Sequence, residues 1–362
     1  MTTRLRARMF AATALLVTGC STMGGETAEA PEPSPSTPGA AEEAGGEVVL
    51  VTHESFHLPE KLVKAFESES GYDLTTRAAG DAGTLAAKLS LTADNPTGDV
   101  AFGIDNTFAS RPLDEDVFDA FSPTLPEGAE DHVLEEGADR LTPIDTGSVC
   151  VNIDRTWFEE EGLEPPRTLD DLVDPAYKGL FVTPGAPTSS PGMAFLLATV
   201  AEYGEDGWHD YWADLIANDV KIVDGWEDAY YGDFTQGGGK GTRPIVLSYD
   251  SSPAFTVPEG ADESTTEALL DTCFRQVEYA GVLAGADNPV GGQAVIEWLL
   301  TDEVQSALPT SMYVFPVSAT ATIPDDWAKH AEQPTEPLEV SPEDIAAHRE
   351  EWLTEWQDIT TR

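Results

Sequence analysis

Along the chain, short β-branched apolar runs alternate with stripes of apolar residues at helical spacing. "EVVLVT" (47–52) is a continuous apolar run and predicts a buried strand. "PEKLVKAFESESG" (59–71) carries Leu62, Val63 and Phe66 as a helical stripe, with Pro59 suited to its first position and Gly71 to its end. "YDLTTRAA" (72–79) predicts a strand, "AGTLAAKLSLTA" (82–93) a helix and "GDVAFGID" (98–105) a buried strand. This β-α-β-α-β rhythm predicts a mostly parallel sheet with helices on both faces.

The rhythm returns further on. "GSVCVNID" (147–154) predicts a strand, "TLDDLVDPAYKG" (168–179) a short helical segment and "LFVTPG" (180–185) a strand. Helices are expected over 191–204 and 206–220, then a strand at "KIVDG" (221–225) and a strand and loop at "RPIVLSYDSSPA" (243–254). A helical stretch over 288–309 precedes "YVFPVS" (313–318). Ser341-Pro342-Glu343-Asp344 is a helix start: a capping hydroxyl, a proline, then acids in the first turn. Ile345, Trp352, Trp356 and Ile359 share one face of that last helix, which is expected to dock. No internal repeat interrupts the pattern.

The N-terminus departs from it. Arg4, Arg6 and Arg8 precede an apolar run, Met9 to Val17, too short to span a membrane as a helix. The run ends in Val17-Thr18-Gly19-Cys20, the pattern of bacterial lipoproteins in which the cysteine is lipidated and becomes the new N-terminus. A plain secretory signal with a chance cysteine is the other reading. Residues 21–46 are small, Pro-rich and acidic, cannot bury enough apolar surface to fold, and read as a tether. The expected organisation is a leader over 1–19, a tether from Cys20 to residue 46, and a body of about 315 residues, enough for two α/β lobes. The expected place is outside the cell, anchored by lipid to the outer face of the cell membrane.

Charge narrows the partners. The chain holds 19 Lys and Arg against 66 Asp and Glu; the leader takes three arginines and no acid, which leaves a net charge near −50. Such a surface repels nucleic acid and anionic membranes and attracts cations at long range. Most of it reads as a solvated acidic shell. With Cys20 assigned to lipid, Cys150 and Cys273 are left, either disulfide-bonded or free, in a location that permits pairing. Three cysteines are too few for a zinc or iron–sulfur framework.

Two stretches imitate protease motifs. His53-Glu54-Ser55-Phe56-His57 matches H-E-x-x-H, but a zinc protease needs both histidines one turn apart on a helix. Here the stretch leaves a strand, and Pro59 pushes the residue before it out of helical geometry. Residues 53–58 therefore read as a strand-to-helix loop, where open parallel sheets bind ligands. "IDTGS" (144–148) resembles half of an aspartic protease site, but no second half exists, and Asp145 reads as a hinge or polar loop residue. No G-x-S-x-G elbow occurs, and Gly237–Gly239 before Lys240 reads as a flexible loop rather than a phosphate loop. No catalytic set, metal site or cofactor is expected.

What remains sits at strand ends. "GDAGT" (80–84) opens a helix with Asp81, and "GIDNT" (103–107) ends a strand with Asp105 and Asn106. "APTSSPG" (186–192) sets Thr188, Ser189 and Ser190 at a helix N-terminus, where free N–H groups and hydroxyls suit an anion or alcohol, or simply cap the helix. "VDGWEDAYYGDF" (223–234) clusters Trp226, Tyr230 and Tyr231 with Asp224, Asp228 and Asp233. "LSYDSSPAF" (247–255) adds Tyr249, Asp250 and Phe255, and "PTSMYVFPV" (309–317) adds Tyr313. Each aromatic alone reads as core. Together with carboxylates they suit a flat organic cation.

In order, "TSSPGMAFLLATVAEYG", "GWEDAYYGDF", "IVLSYDSSPAF", "CFRQVEYAGVLAG" and "PTSMYVFPV" resemble the thiamine-binding proteins of ABC transporters, over essentially all of 47–320. The resemblance implies an α/β, two-lobed type II periplasmic-binding fold that closes on its ligand, with lobe 1 from 47–144 and most of 254–362, and lobe 2 from 145–253. It implies thiamine or a thiamine phosphate as ligand, an ABC permease as partner, a monomer and no enzymatic activity. It places thiazolium-stacking rings at Trp226, Tyr249, Phe255 and Tyr313, the acid of a helix start at Asp81, and the cradle for the alcohol or phosphate end at Ser189, Ser190 and Gly192. Asp105 and Ser55 complete the expected site. His53 stands where an aromatic is expected, and Phe255 and Tyr313 where relatives can have Tyr and Trp. Three alternatives remain: a ferric-ion binder, for which Tyr230-Tyr231 would supply hard oxygen ligands; a polyamine binder; and a surface metalloprotease.

Overall fold

The computed structural model describes residues 45–361, all within one compact unit. The leader, Cys20 and the tether up to residue 44 lie outside the described residues. Ten strands form one sheet: β1 (Gly46–Thr52), β2 (Tyr72–Ala78), β3 (Val100–Asp105), β4 (Thr142–Asp154), β5 (Phe181–Pro184), β6 (Lys221–Val223), β7 (Ile245–Tyr249), β8 (Thr266–Ala268), β9 (Phe274–Val282) and β10 (Phe315–Pro316). Their order is β2-β1-β3-β9-β4-β7-β5-β6, with β8 and β10 also paired to β4.

Both ends of the sheet follow the expected rhythm. β1 runs parallel to β2 and β3, and β5 runs parallel to β6 and β7. The middle corrects it. β9 is antiparallel to β3 and β4, and β4 is antiparallel to β7, β8 and β10. The sheet is thus mixed rather than mostly parallel. β4 begins at Thr142, five residues ahead of the predicted start at 147, so Asp145 is a buried strand residue and not a polar loop residue. The disulfide Cys150–Cys273, with Cα atoms 4.2 Å apart, ties β4 to the residue before β9.

Strand alternation buries both faces. Val48 and Leu50 join Phe66, Phe102, Val295 and Ile296 in one core. Val49 and Val51 join Leu85, Leu89, Ile104 and Phe195 in another. The first helix runs Glu60–Ser70; Pro59 is its N-cap rather than its first residue, and Gly71 closes it in the left-handed region at φ 79°. The long helix Ser190–Ala217 is broken at Gly204 (φ 69°, ψ 176°), where two helices were expected. Segment 168–179 forms two short 3-10 turns, Asp170–Val173 and Pro175–Tyr177. The last helix, Pro342–Thr360, is capped by the Ser341 hydroxyl and docks through Ile345, Trp352 and Trp356. Trp356 meets Trp212 edge-on at 5.3 Å.

Candidate functional site

Strand ends from both halves of the sheet converge on a cavity of about 520 Å³. Ligand pockets typically span about 300–1,000 Å³. One wall is the loop His53–His57 after β1, with Asp81 and Ala82 after β2. The facing wall is Ser190 and Pro191 after β5, Trp226–Glu227 and Tyr230–Tyr231 after β6, and Tyr249, Ser252 and Phe255 after β7. Glu278 of β9 lies at depth, and Ser311–Val314 closes one side.

Residues 53–58 are a loop, and the helix begins only at Glu60, so His53 and His57 lack the one-turn helical spacing of a zinc protease. His53 is held instead by a local backbone choice. Gly103 takes φ 96° inside β3, and a Cβ there would stand 2.2 Å from the His53 ring. The ring therefore lies against β3, with Nε2 3.5 Å from Glu278 Oε1. Among the described residues no group of three or more His, Cys, Asp or Glu is arranged to hold a metal ion.

Asp81 binds the two walls together. Its Oδ1 accepts from the Ala82 N–H at 2.6 Å, capping its own helix, and from the Ser190 N–H at 3.4 Å. Its Oδ2 accepts from the Trp226 N–H at 2.9 Å. Ser55 Oγ donates to Glu227 Oε1 at 3.2 Å, a second bond across the cleft. Burial and the neighbouring charges of Asp81, Glu227 and Asp228 raise the Glu54 carboxyl above its ordinary range.

Rings line the opposite wall. The Trp226 indole stacks on Tyr230 at 5.1 Å and meets Tyr231 edge-on at 5.3 Å. Its Nε1–H donates to Ser248 Oγ at 2.9 Å, which fixes the plane of the ring. Phe255 and Tyr313 pack edge to face at 5.2 Å. Tyr231 and Phe255 are 43% and 42% exposed and form the rim. Tyr313 adopts a left-handed φ of 56°, unusual without glycine, and its carbonyl accepts from Ser251 Oγ. Tyr249 sits deeper, its hydroxyl donating to Gln276 Oε1 at 3.2 Å.

Of the residues singled out in sequence, His53, Ser55, Asp81, Ser190, Trp226, Tyr249, Phe255 and Tyr313 line the cavity. Three do not. Asp105 is fully buried behind it; its carboxylate accepts from the Thr107 N–H and Oγ1, both at 2.6 Å, and from Ser190 Oγ. Burial still raises it to about 6. Ser189 is the buried N-cap of the long helix. Gly192 lets that helix approach β5, since a Cβ there would stand 2.4 Å from the Gly185 carbonyl.

Glu54, Phe56 and His57 line the cavity as parts of the 53–58 loop, and Glu227, Ser252 and Glu278 line it without having been singled out. The signal for Glu278 is present: Gln276, Glu278, Ala280 and Val282 share one strand face, and Ala280 and Val282 are core. An acid in that row marks a buried charge. Among the described residues no lysine or arginine lines the cavity. Anionic and π surfaces facing one volume suit a flat organic cation.

Known proteins share this construction. A protein from Escherichia coli (strain K12) described as "Thiamine-binding periplasmic protein" is 29% identical over 323 residues, covering 87% of this chain and 94% of that protein. A protein of the same description from Brucella abortus is 27% identical over 335 residues, covering 89% of this chain and 94% of its own length. The solved structure of a "Periplasmic thiamin binding protein" superposes with a TM-score of 0.74 at 27% identity, covering 87% of this chain and 96% of that one. Iron-bound HitA from Pseudomonas aeruginosa shares the fold, with a TM-score of 0.67 at 20% identity over 86% of this chain and 99% of its own. The architecture is the α/β, two-lobed type II periplasmic-binding fold with its cleft between the lobes. Residues 95–344 match the family model described as "Bacterial extracellular solute-binding protein", and this chain belongs to that family.

Proposed function

We propose that this chain captures thiamine in the cleft, outside the membrane, and delivers it to an ABC permease. The observation that carries the reading is the pairing of the Trp226–Tyr231–Phe255–Tyr313 ring wall with Glu54, Asp81 and Glu227, without a lysine or arginine at the lining among the described residues. Thiamine's thiazolium is a permanent, flat cation, which rings stack on and carboxylates balance. The names of the relatives support the same ligand.

The proposed cycle needs two lobes and a hinge. We assign lobe 1 to 47–144 and most of 254–362, and lobe 2 to 145–253. β4 and β9 are the strands through which the two parallel ends of the sheet connect, so small φ/ψ changes along them would open the cleft. Cys20, lipidated, would tether the body to the outer face of the membrane through the acidic linker. Free thiamine is favoured over its phosphates, because the Ser190 and Trp226 N–H groups that would receive a phosphate already face Asp81.

The test is a calorimetric titration of protein refolded from denaturant, with thiamine as ligand and ferric citrate and spermidine as comparators. Saturable one-to-one binding of thiamine alone supports the reading. Binding of iron or spermidine instead moves the cargo to another class, and Tyr230 and Tyr231, both at the cavity, become the first residues to test for iron.

A further inference from the structure

A row of three acids crosses the centre of the sheet. Glu278 of β9 is in register with Asp145 of β4 on one side and with Asp105 of β3 on the other. All three are buried; Glu278 alone reaches the cavity, at 6% exposure. Asp105 is satisfied by Thr107 and Ser190. Asp145 is not: among the described residues no N–H or O–H donor reaches either of its oxygens. The group opposite it across the β4–β9 pair is the Glu278 carboxyl. Two carboxyls bond only when at least one carries a proton, and like charges this close in a buried site do not both ionise.

Asp145 faces Glu278 from β4 and Asp105 from β3. His53 faces it from the loop after β1, with Nε2 at 3.5 Å, and Tyr249 stands nearby on β7. Arg275, on β9 itself, bears on Asp250 and His132. Asp145 and Asp105 thus disfavour a negative Glu278, and the imidazole favours one.

We propose that Glu278 is a specificity-determining residue that reads the aminopyrimidine ring of thiamine as an uncharged carboxylic acid. The inference rests on the thiamine reading above. An aminopyrimidine edge offers one N–H donor beside one ring-nitrogen acceptor. A neutral carboxyl offers the complement, one C=O acceptor and one O–H donor, whereas a carboxylate offers acceptors only. With both carboxyls protonated, the Asp145 hydroxyl donates to Glu278 and leaves the Glu278 hydroxyl for the ligand. The thiazolium then stays with the rings at the rim, and the pyrimidine enters the depth.

Burial raises Asp145 to about 7 and Glu278 well above its usual range; at Glu278 the charge of Asp145 adds to burial, His53 opposes it, and Asp105 adds further. Thiamine affinity should therefore fall as pH rises past about 7, and binding above that point should take up a proton.

The test is calorimetry with thiamine on the purified wild-type chain and on Glu278→Gln, between about pH 5 and about pH 9 and in buffers of different ionisation enthalpy. An amide keeps one acceptor and one donor and cannot ionise. Glu278→Gln is expected to bind within about threefold of wild type at low pH and to lose the fall above neutrality. A loss of tenfold or more in Glu278→Gln at every pH would mean that a carboxylate is what the ligand needs, and would overturn the proposal. Wild-type buffer dependence decides independently of how the variant folds: proton uptake above about pH 7 supports the neutral acid. Proton release, the sign of carboxyls ionising against a bound cation, overturns it. Absence of thiamine binding by wild type at any pH instead defeats the thiamine reading itself.

Discussion

Asp81 Oδ2 accepts the Trp226 backbone N–H at 2.9 Å, although 145 positions separate the two residues. The bond crosses the cleft, and the same carboxylate reaches the Ser190 N–H at 3.4 Å. An anionic ligand arriving at these donors has to displace a carboxylate and face its charge. Thiamine monophosphate and diphosphate should therefore bind at least about tenfold more weakly than thiamine at low salt, a gap of about 1.4 kcal/mol. In Asp81→Asn the gap should narrow. Competition titrations measure it; equal affinities in the wild type would show that Asp81 moves aside at no cost.

Trp226 is expected to be the main aromatic anchor, because its indole is fixed by Ser248 and stacked on Tyr230. Trp226→Ala should raise the Kd for thiamine by about ten- to hundredfold. Trp226→Phe should recover part of the loss, since a smaller ring keeps a π face without the N–H. Far-ultraviolet circular dichroism should be unchanged in both. A variant that binds like wild type would move the anchor to the Phe255–Tyr313 pair.

Stability should fall as pH rises from about 4 to about 7. Burial raises Asp250 and Asp145 to about 7 and Asp105 to about 6. The unfolded chain releases these protons near about pH 4. Between the two values the folded state holds more protons, so its stability declines as pH rises through about 4 to about 7. Asp250 lies outside the cavity, which makes Asp250→Asn a clean probe. At neutral pH it should stabilise the ligand-free protein by on the order of 1–3 kcal/mol and flatten the Tm–pH curve below about pH 7. A Tm that climbs over that window contradicts the assignment.

The Cys150–Cys273 bridge closes a loop of 123 residues. Loops of that length give bridges worth about 2–5 kcal/mol. Reduction, or Cys150→Ser with Cys273→Ser, should cost that much in denaturant unfolding. Thiamine affinity should change little, because neither cysteine lines the cavity. A binding loss without a stability loss would mean that the bridge sets the hinge rather than the fold.

Local chemistry made several parts of this protein readable in advance. Pro59 and Gly71 bound a helix because one lacks an N–H and the other accepts φ 79°. Ser341 caps the last helix because its hydroxyl reaches the Asp344 N–H at 3.0 Å. The loop at 53–58 followed from Pro59, and the ring-bearing strand ends followed from where parallel sheets bind ligands. Each of these depends on neighbours a few residues apart.

The antiparallel middle of the sheet was not readable. β9 begins Phe274-Arg275-Gln276-Val277-Glu278, whose polar residues mask a central strand until β3 and β4 flank them. Nor could the sequence alone separate Ser190, which lines the cavity, from Ser189, which stands buried at the N-cap position behind it. Asp145 looked like a loop residue because a lone acid beside Thr-Gly-Ser resembles a turn; only its register with Glu278, 133 positions away, makes it half of a buried carboxyl pair. Sequence determines what short-range geometry and residue chemistry can dictate: helix ends, strand runs, an acidic surface, a set of rings and acids. Which acids meet, and which of them can hold a proton, depends on long-range strand pairing and the water it excludes, and only the tertiary structure decides that.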